Sequence, residues 1–344
     1  MNFPENSVSF LKNLVSRPHK VLITTHYNPD GDAIGASLAL YHFLLKTGHD
    51  VSIVVPNELP SFLSWMPGTN NVMVYNKDED SSKKLISEAE TIFCMDFNSL
   101  SRVKFFSKQL AEAPGVKILI DHHLQPSDEF DLTFSEISVS STSELLYKLI
   151  NLCGCGDLVD LPAAECIFVG IMTDTGSYSY SCEKPDTFHI TAELISLGVN
   201  VERIHRLVYD TYSENRMRLL GFCLSERMKV LPQMSTAYIW LSKDDLEKFG
   251  YQPGDTEGVV NYALSIENIV MAALFTERDN RIRISLRSKG NFSVNNFARK
   301  HFEGGGHRNA AGADSFLSLQ ATLDMFESLL SDYQDELCGS RTTN

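Results

Sequence analysis

Short apolar runs alternate with longer periodic stretches through the first half of this chain. Val21-Leu22-Ile23-Thr24-Thr25 is continuous and rich in β-branched residues, the pattern of a strand buried on both faces. Ile34, Leu38, Tyr41 and Leu45 then recur at helical spacing, and Gly48 supplies a helix stop. Val51–Val55, Thr91–Met95 and Val116–Ile120 repeat the strand pattern, and helical patterns cover Ser143–Leu152 and Ala163–Thr173. Strands that alternate with helices predict an α/β fold with a mostly parallel sheet.

From about Asp186 to Leu231 the pattern is almost all helical, which predicts a helical connector. Beyond it the character changes. Thr236–Leu241 and Ile269–Thr276 read as strands and "RDNR" (278–281) as a turn. "RIRISLRS" alternates, with Ile282, Ile284 and Leu286 on one face and Arg281, Arg283, Ser285 and Arg287 on the other. Helices at about 293–302 and 318–331 complete a smaller α+β domain. The expected division is residues 1–185, a connector at 186–231, and residues 232–344.

Composition narrows the class. A length of 344 residues favours two domains over one. A content of 43% hydrophobic and 22% charged residues describes a globular protein with full cores. No apolar run approaches the roughly 20 residues of a membrane-spanning helix. The opening "MNFPENSVSFLKNLVSRPHK" has no continuous apolar stretch behind a basic start, so it does not read as a signal peptide. Seven irregularly spaced cysteines without a C-x-x-C point to reduced thiols in a cytoplasm. A net charge of -14 argues against a broad nucleic-acid surface, hence against long duplex partners.

The ends of the expected strands carry the candidate chemistry. In a parallel sheet, ligands sit beyond the carboxyl ends of the strands. "HYNPDGDAIG" (26–35) follows one strand, Asp96 another, and Asp121-His122-His123 closes a third, while Asp174 stands in "TDTG". Taken singly, these read as a turn, a helix cap or a polar loop; their conjunction is poorly explained that way. Carboxylates gathered this closely cannot all stay ionised unless cations sit among them. His26, Asp30, Asp32, Asp96, His122 and Asp174 offer an oxygen-rich set with some imidazole, which suits Mn²⁺ or Mg²⁺ better than structural zinc. Six ligands are a natural number for two ions if one carboxylate bridges. Two metals about 4 Å apart form a clamp for phosphoryl transfer.

"HYNPDGDAIGAS", "FCMD", "DHH" and "GIMTDTGSYSY" resemble the four ordered motifs of the DHH phosphoesterases. "EGGGHRNAAG" (303–312), preceded by "SLRS" (285–288), resembles the signature of the accessory DHHA1 domain. Together they span about residues 20 to 330. Ala36 follows Gly35 where the family often has Ser, a departure expected to leave metal binding unchanged. Length and domain pairing are similar to bacterial nanoRNase and pAp-phosphatase proteins. RecJ-type exonucleases carry further domains, and the manganese pyrophosphatases end in a different one. The resemblance implies that His26, Asp30 and Asp96 hold one manganese ion, and Asp32, Asp96, His122 and Asp174 the other, with Asp96 bridging. It implies that Asp121 orients the histidine pair, that His123 faces the substrate phosphate, and that a metal-activated water attacks phosphorus.

The second domain has its own logic. Residues 278–308 hold eight Lys or Arg against two acids. Gly304-Gly305-Gly306 permits close backbone approach, and free amides in such a loop can form an anion nest. Arg287, Ser288 and His307 would complete a grip on a terminal phosphate or nucleotide. The expected function is a metal-dependent hydrolase of phosphoester bonds, with its site in the cleft between domains. Expected substrates are short oligoribonucleotides, released as mononucleotides, and 3′-phosphoadenosine 5′-phosphate (pAp). The alternatives are a phosphodiesterase for linear or cyclic signalling dinucleotides, an exopolyphosphatase or pyrophosphatase, and a non-catalytic nucleotide-binding regulator. No membrane partner is expected, and a homodimer is the oligomer considered.

Overall fold

The computed structural model describes residues 3–340. The continuous apolar runs form strands β1 (Lys20–Thr25), β2 (Asp50–Val55), β4 (Thr91–Met95) and β5 (Val116–Asp121), joined by two short strands, β3 (Val72–Val74) and β6 (Leu132–Ser135). All pair in parallel, in the order β3-β2-β1-β4-β5-β6. Strand order reverses between β1 and β4, the switch point at which open α/β sheets take ligands. Side chains alternate between two buried clusters. Leu22, Val54, Ile92, Cys94 and Leu119 enter one, and Ile23, Ile53, Phe93, Met95, Ile118 and Ile120 enter the other. Burial on both faces is why the strands read as unbroken apolar runs. Each such large side chain contributes about 1.5–3 kcal/mol.

One cluster is roofed by the helices Gly31–Lys46, Thr142–Leu152 and Leu161–Asp174. Asp30 caps the first: its Oδ1 accepts from the amides of Asp32 at 3.1 Å and Ala33 at 3.0 Å. Gly48, at φ 83°, follows its end, a left-handed position that suits glycine. Ile34, Leu38 and Tyr41 are buried as their spacing predicts, whereas Leu45 is exposed and Leu44 is buried in its place. The first and third of these helices cross at backbone contact. A Cβ on Gly35 would meet the Cys166 carbonyl oxygen at 2.6 Å, and one on Gly170 would meet Ser143 Oγ at 1.9 Å.

The chain divides into two compact units, Met1–Thr211 and Tyr212–Asn344. Within the stretch read as a connector, helices Pro185–Ser196 and Val201–Tyr209 belong to the first unit and helix Glu214–Glu226 to the second. The last four residues of that stretch, Met228–Leu231, are a strand, β7. It is short and largely exposed, and charged neighbours mask its pattern.

The second unit adds β8 (Thr236–Leu241), β9 (Met271–Arg278), β10 (Arg281–Ser288), β11 (Glu303–Gly306) and β12 (Ala310–Ser315). The sheet order is β11-β12-β10-β9-β8-β7, parallel at β8/β9 and antiparallel elsewhere. Ile282, Ile284 and Leu286 are buried against the helices Val294–His301 and Leu319–Leu330, as their alternation predicts. Among the described residues no helix is long and apolar enough to cross a membrane.

Candidate metal centre

Five segments of the first unit bring their acids and imidazoles to the carboxyl edge of its sheet. His26 follows β1, Asp30 and Asp32 open the next helix, Asp96 follows β4, Asp121 ends β5 with His122 and His123 behind it, and Asp174 ends the helix Leu161–Asp174. These are the eight positions expected from the sequence in this half, and the fold gathers all of them. His26, Asp30 and Asp96 offer ligand atoms within 4.8 Å of one another, as do Asp32, His122 and Asp174, and Asp96, Asp121 and His123.

Asp96 joins the groups. Its Oδ2 lies 3.5 Å from His26 Nε2, and its Oδ1 lies 3.6 Å from His122 Nε2. His122 Nε2 is also 3.4 Å from Asp174 Oδ2 and 3.9 Å from Asp32 Oδ2. His26 Nε2 is 4.0 Å from Asp30 Oδ2. These separations are longer than ordinary hydrogen bonds of about 2.7–3.2 Å and match groups arranged around a shared cation.

The surrounding hydrogen bonds fix the donors. His26 Nδ1 donates to the Tyr27 carbonyl at 3.0 Å, so Nε2 keeps its lone pair for a ligand. His123 Nδ1 donates to Asp121 Oδ1 at 2.7 Å, so Asp121 fixes the ring of His123 and not that of His122. Asp32 accepts two backbone amides, Thr142 at 2.6 Å on Oδ2 and Ser143 at 2.9 Å on Oδ1. Thr142 Oγ1 donates to Asp96 Oδ1 at 2.7 Å. The first turn of the helix Thr142–Leu152 thus holds two of the central carboxylates. Its own N-terminus is capped by Ser141, whose Oγ accepts the Glu144 amide at 3.0 Å.

Charge at the site is unbalanced. Burial and the neighbouring Asp96 and Asp174 push the Asp32 carboxyl well above the ordinary range. Burial raises Asp174 to about 6. Burial opposes the charged form of His122, yet Asp174, Asp96 and Asp32 carry it up to about 9. Among the described residues, the ion pairs of these aspartates are all with histidines. Asp121 Oδ2 is buried with no hydrogen-bond partner. Excess buried carboxylate, the Nε2 of His26 left for a ligand and an unsatisfied acceptor fit divalent cations, and the oxygen-rich set fits manganese or magnesium.

The second unit holds the remaining expected residues, with two corrections. Gly304-Gly305-Gly306 is an edge strand, β11, paired with β12, and not a loop. The Gly306 amide donates to Asn295 Oδ1 at 3.1 Å, so the run of free amides needed for an anion nest is absent there. Glycine is required by proximity: a Cβ on Gly304 would meet that of Ala313 at 2.5 Å. Ser288 is buried, donates to the Phe292 carbonyl at 2.7 Å and accepts from Asn309 Nδ2 at 3.0 Å. Its hydroxyl shapes the loop instead of pointing to a ligand. Arg281 and Arg283 both pair with Asp314 at 3.3 Å, an acid just beyond the basic window. His307 opens a tight turn, its amide donating to the Ala310 carbonyl at 2.7 Å. Arg287 is half-buried at the end of β10.

Sequence reasoning missed Thr142, Ser143, Gly35, Gly170, Asn295 and Asn309. Interior glycines in two helical patterns were a readable signal of close approach, and S-x-x-E at 141–144 was a readable cap. The partners of those residues were not readable.

Comparison with known proteins gives the same order of domains. Residues 20–171 match the DHH family, N-terminal domain, and residues 233–332 match the DHHA1 domain. The chain is 28% identical over 298 residues to a bifunctional oligoribonuclease and PAP phosphatase NrnA of Bacillus subtilis, covering 86% of this chain and 89% of that one. It is 30% identical over 297 residues to the Thermus thermophilus protein of the same name, covering 85% and 83%. The crystal structure of an exopolyphosphatase-related protein from Bacteroides fragilis superposes with a TM-score of 0.93 at 42% identity, over 97% of this chain and 98% of that one. With its DHH and DHHA1 domains in order, the chain belongs to the DHH phosphoesterase family, hydrolases that act on phosphoester bonds.

Proposed function

We propose that this protein hydrolyses short oligoribonucleotides to mononucleotides and dephosphorylates pAp, using two divalent ions, manganese or magnesium. The observation that carries the two-ion reading is the division of Asp96, with one carboxylate oxygen toward His26 and the other toward His122. His26 and Asp30 complete one ligand set with it, and Asp32, His122 and Asp174 the other. When bound, the ions supply positive charge to the phosphate and acidify water. The protein's own groups do the rest. Thr142 and Ser143 hold Asp32 in place, and Asp121 fixes the ring of His123, which meets a phosphate oxygen of the substrate. Arg287 and His307 of the second unit bind a further substrate phosphate.

The names of the Bacillus and Thermus relatives support the substrate class. The name of the Bacteroides protein supports a second reading, hydrolysis of polyphosphate. A single manganese-supplemented panel separates the two. It compares diribonucleotides, longer RNA, single-stranded DNA, pAp, a cyclic dinucleotide, pyrophosphate and polyphosphate. Diribonucleotides and pAp are expected to turn over fastest. Preference for polyphosphate or pyrophosphate would replace this reading with the second, and preference for the cyclic dinucleotide would make the protein a signalling phosphodiesterase.

A further inference from the structure

At the same strand ends lies a feature outside the donor groups. Tyr27 directly follows His26. Its amide donates to the Arg102 carbonyl at 2.8 Å, which ties it to Leu100–Phe106, the 3-10 segment that follows β4. Lys104 in that segment has φ 54° and ψ -89°, a backbone that non-glycine residues hold only when the surroundings impose it. Two consecutive phenylalanines follow the kink. Phe106 is fully buried, and Phe105 is 52% exposed. The Phe105 ring meets the Tyr27 ring edge-on, with centroids 5.3 Å apart, and Lys104 Nζ stands 4.6 Å from the Tyr27 centroid.

A large ring held out in water by a strained turn needs a reason beyond packing. Its position supplies one: β1 and β4 flank the switch point of the sheet, and Tyr27 and Phe105 lie on the segments that leave those two strands. Its company narrows the partner. Two cations within the same few residues disfavour an apolar protein surface and suit a flat ring attached to phosphate. We propose that Phe105, braced edge-on by Tyr27, is the platform on which one nucleobase of the substrate stacks, while Arg102 and Lys104 face that nucleotide's phosphate. The inference rests on the oligoribonucleotide reading above and deepens it. It makes this wall a determinant of specificity, because pyrophosphate and polyphosphate have no base to stack. Stacking tolerates all four bases, so weak base preference is part of the proposal.

The test uses the full-length manganese enzyme and the variants Phe105→Ala, Phe105→Leu and Phe105→Trp. Substrates are a diribonucleotide and its two forms in which one base is replaced by hydrogen. Alanine and leucine are expected to raise KM for the intact dinucleotide about tenfold, with kcat and manganese content unchanged, and tryptophan to keep KM near wild type. For one of the two base-less substrates, wild type and Phe105→Ala should then be equal. Unchanged KM in all variants, or equal losses on all three substrates, would overturn the stacking platform and leave the substrate class standing. If the unmodified enzyme cleaves no dinucleotide, the substrate reading itself fails, and the platform with it.

Discussion

Asp96 sits at φ 64° with its amide donating to the Ile120 carbonyl at 3.0 Å. Aspartate is among the few side chains that tolerate this left-handed region, and the strained turn aims its two oxygens in different directions. Asp96→Asn is therefore expected to keep the fold, to bind fewer than two manganese ions and to lose nearly all turnover. Wild-type rates in the folded variant at limiting manganese would remove Asp96 from the bridging role. His122 yields a pH prediction. Its raised value, about 9, means that the metal-free protein carries a protonated imidazole at pH 7, whereas a metal ligand must be neutral. Manganese binding at pH 7 should release a proton, seen as a calorimetric heat that varies with the buffer, and affinity should rise with pH up to about 9. The same shift affects stability. A folded-state value raised above about 6.5 contributes stability that is present below that pH and is lost as pH rises through about 9. Denaturant melts in chelator should show this decline, and added manganese should abolish it.

Among the elements, the crossing of the helices Gly31–Lys46 and Leu161–Asp174 sets the distance between Asp32 and Asp174. A Cβ on Gly170 would lie 2.6 Å from the Cβ of Ser143, on the helix Thr142–Leu152, and 2.7 Å from Asp32 Oδ1, so turning the Ser143 hydroxyl away does not make room. Gly170→Ala is expected to destabilise by about 1–3 kcal/mol and also to weaken metal binding, because the displaced groups are the ones that hold Asp32. A thermal melt with a manganese titration checks both, and a stable variant of full affinity would show that the helices separate freely. The helix Thr142–Leu152 is tested through its first turn. Thr142→Val removes the hydroxyl that donates to Asp96 and leaves the amide to Asp32. Loss of such a supporting bond should weaken manganese affinity about tenfold or more, and Thr142→Ser should restore it. Equal affinity in all three proteins would assign the hydroxyl to packing alone.

For the whole molecule, charge bears most on substrate choice. The chain carries -14, and its basic residues between 278 and 308 are partly consumed by Asp314. Extra phosphates on a long strand meet net repulsion, which salt screens. The efficiency kcat/KM is expected to fall at least about tenfold from a dimer to a 20-mer RNA, roughly 1.4 kcal/mol of transition-state stabilisation. A length series at fixed manganese and ionic strength measures this, and level or rising efficiency would favour a processive exonuclease. The two units should also separate in their effects. Alanine at Arg287 or His307 should raise KM for nucleotides with metal content intact, and loss of metal with affinity retained would reverse the roles assigned to the units.

Much of this was legible along the chain. Strands buried on both faces must be continuous apolar runs, so β1, β2, β4 and β5 announce themselves, and each donor lies within a few residues of a strand or helix end. The identity of the donors and their common edge therefore follow from local pattern alone. The short edge strands β3, β6, β7 and β11 did not, because three or four half-exposed residues carry no period. Nor did the support of the site. Thr142 lies 110 residues from Asp32 and 46 from Asp96, and Asn295 and Asn309 find the Gly306 amide and the Ser288 hydroxyl only once β10, β11 and β12 have paired. The sequence by itself determined which groups could hold metal and on which edge. Tertiary structure alone decided how Asp96 divides its two oxygens, which glycines let the helices close, and which expected ligands of the second unit were already engaged. Those outcomes depend on packing between segments remote in sequence, where periodicity has no reach.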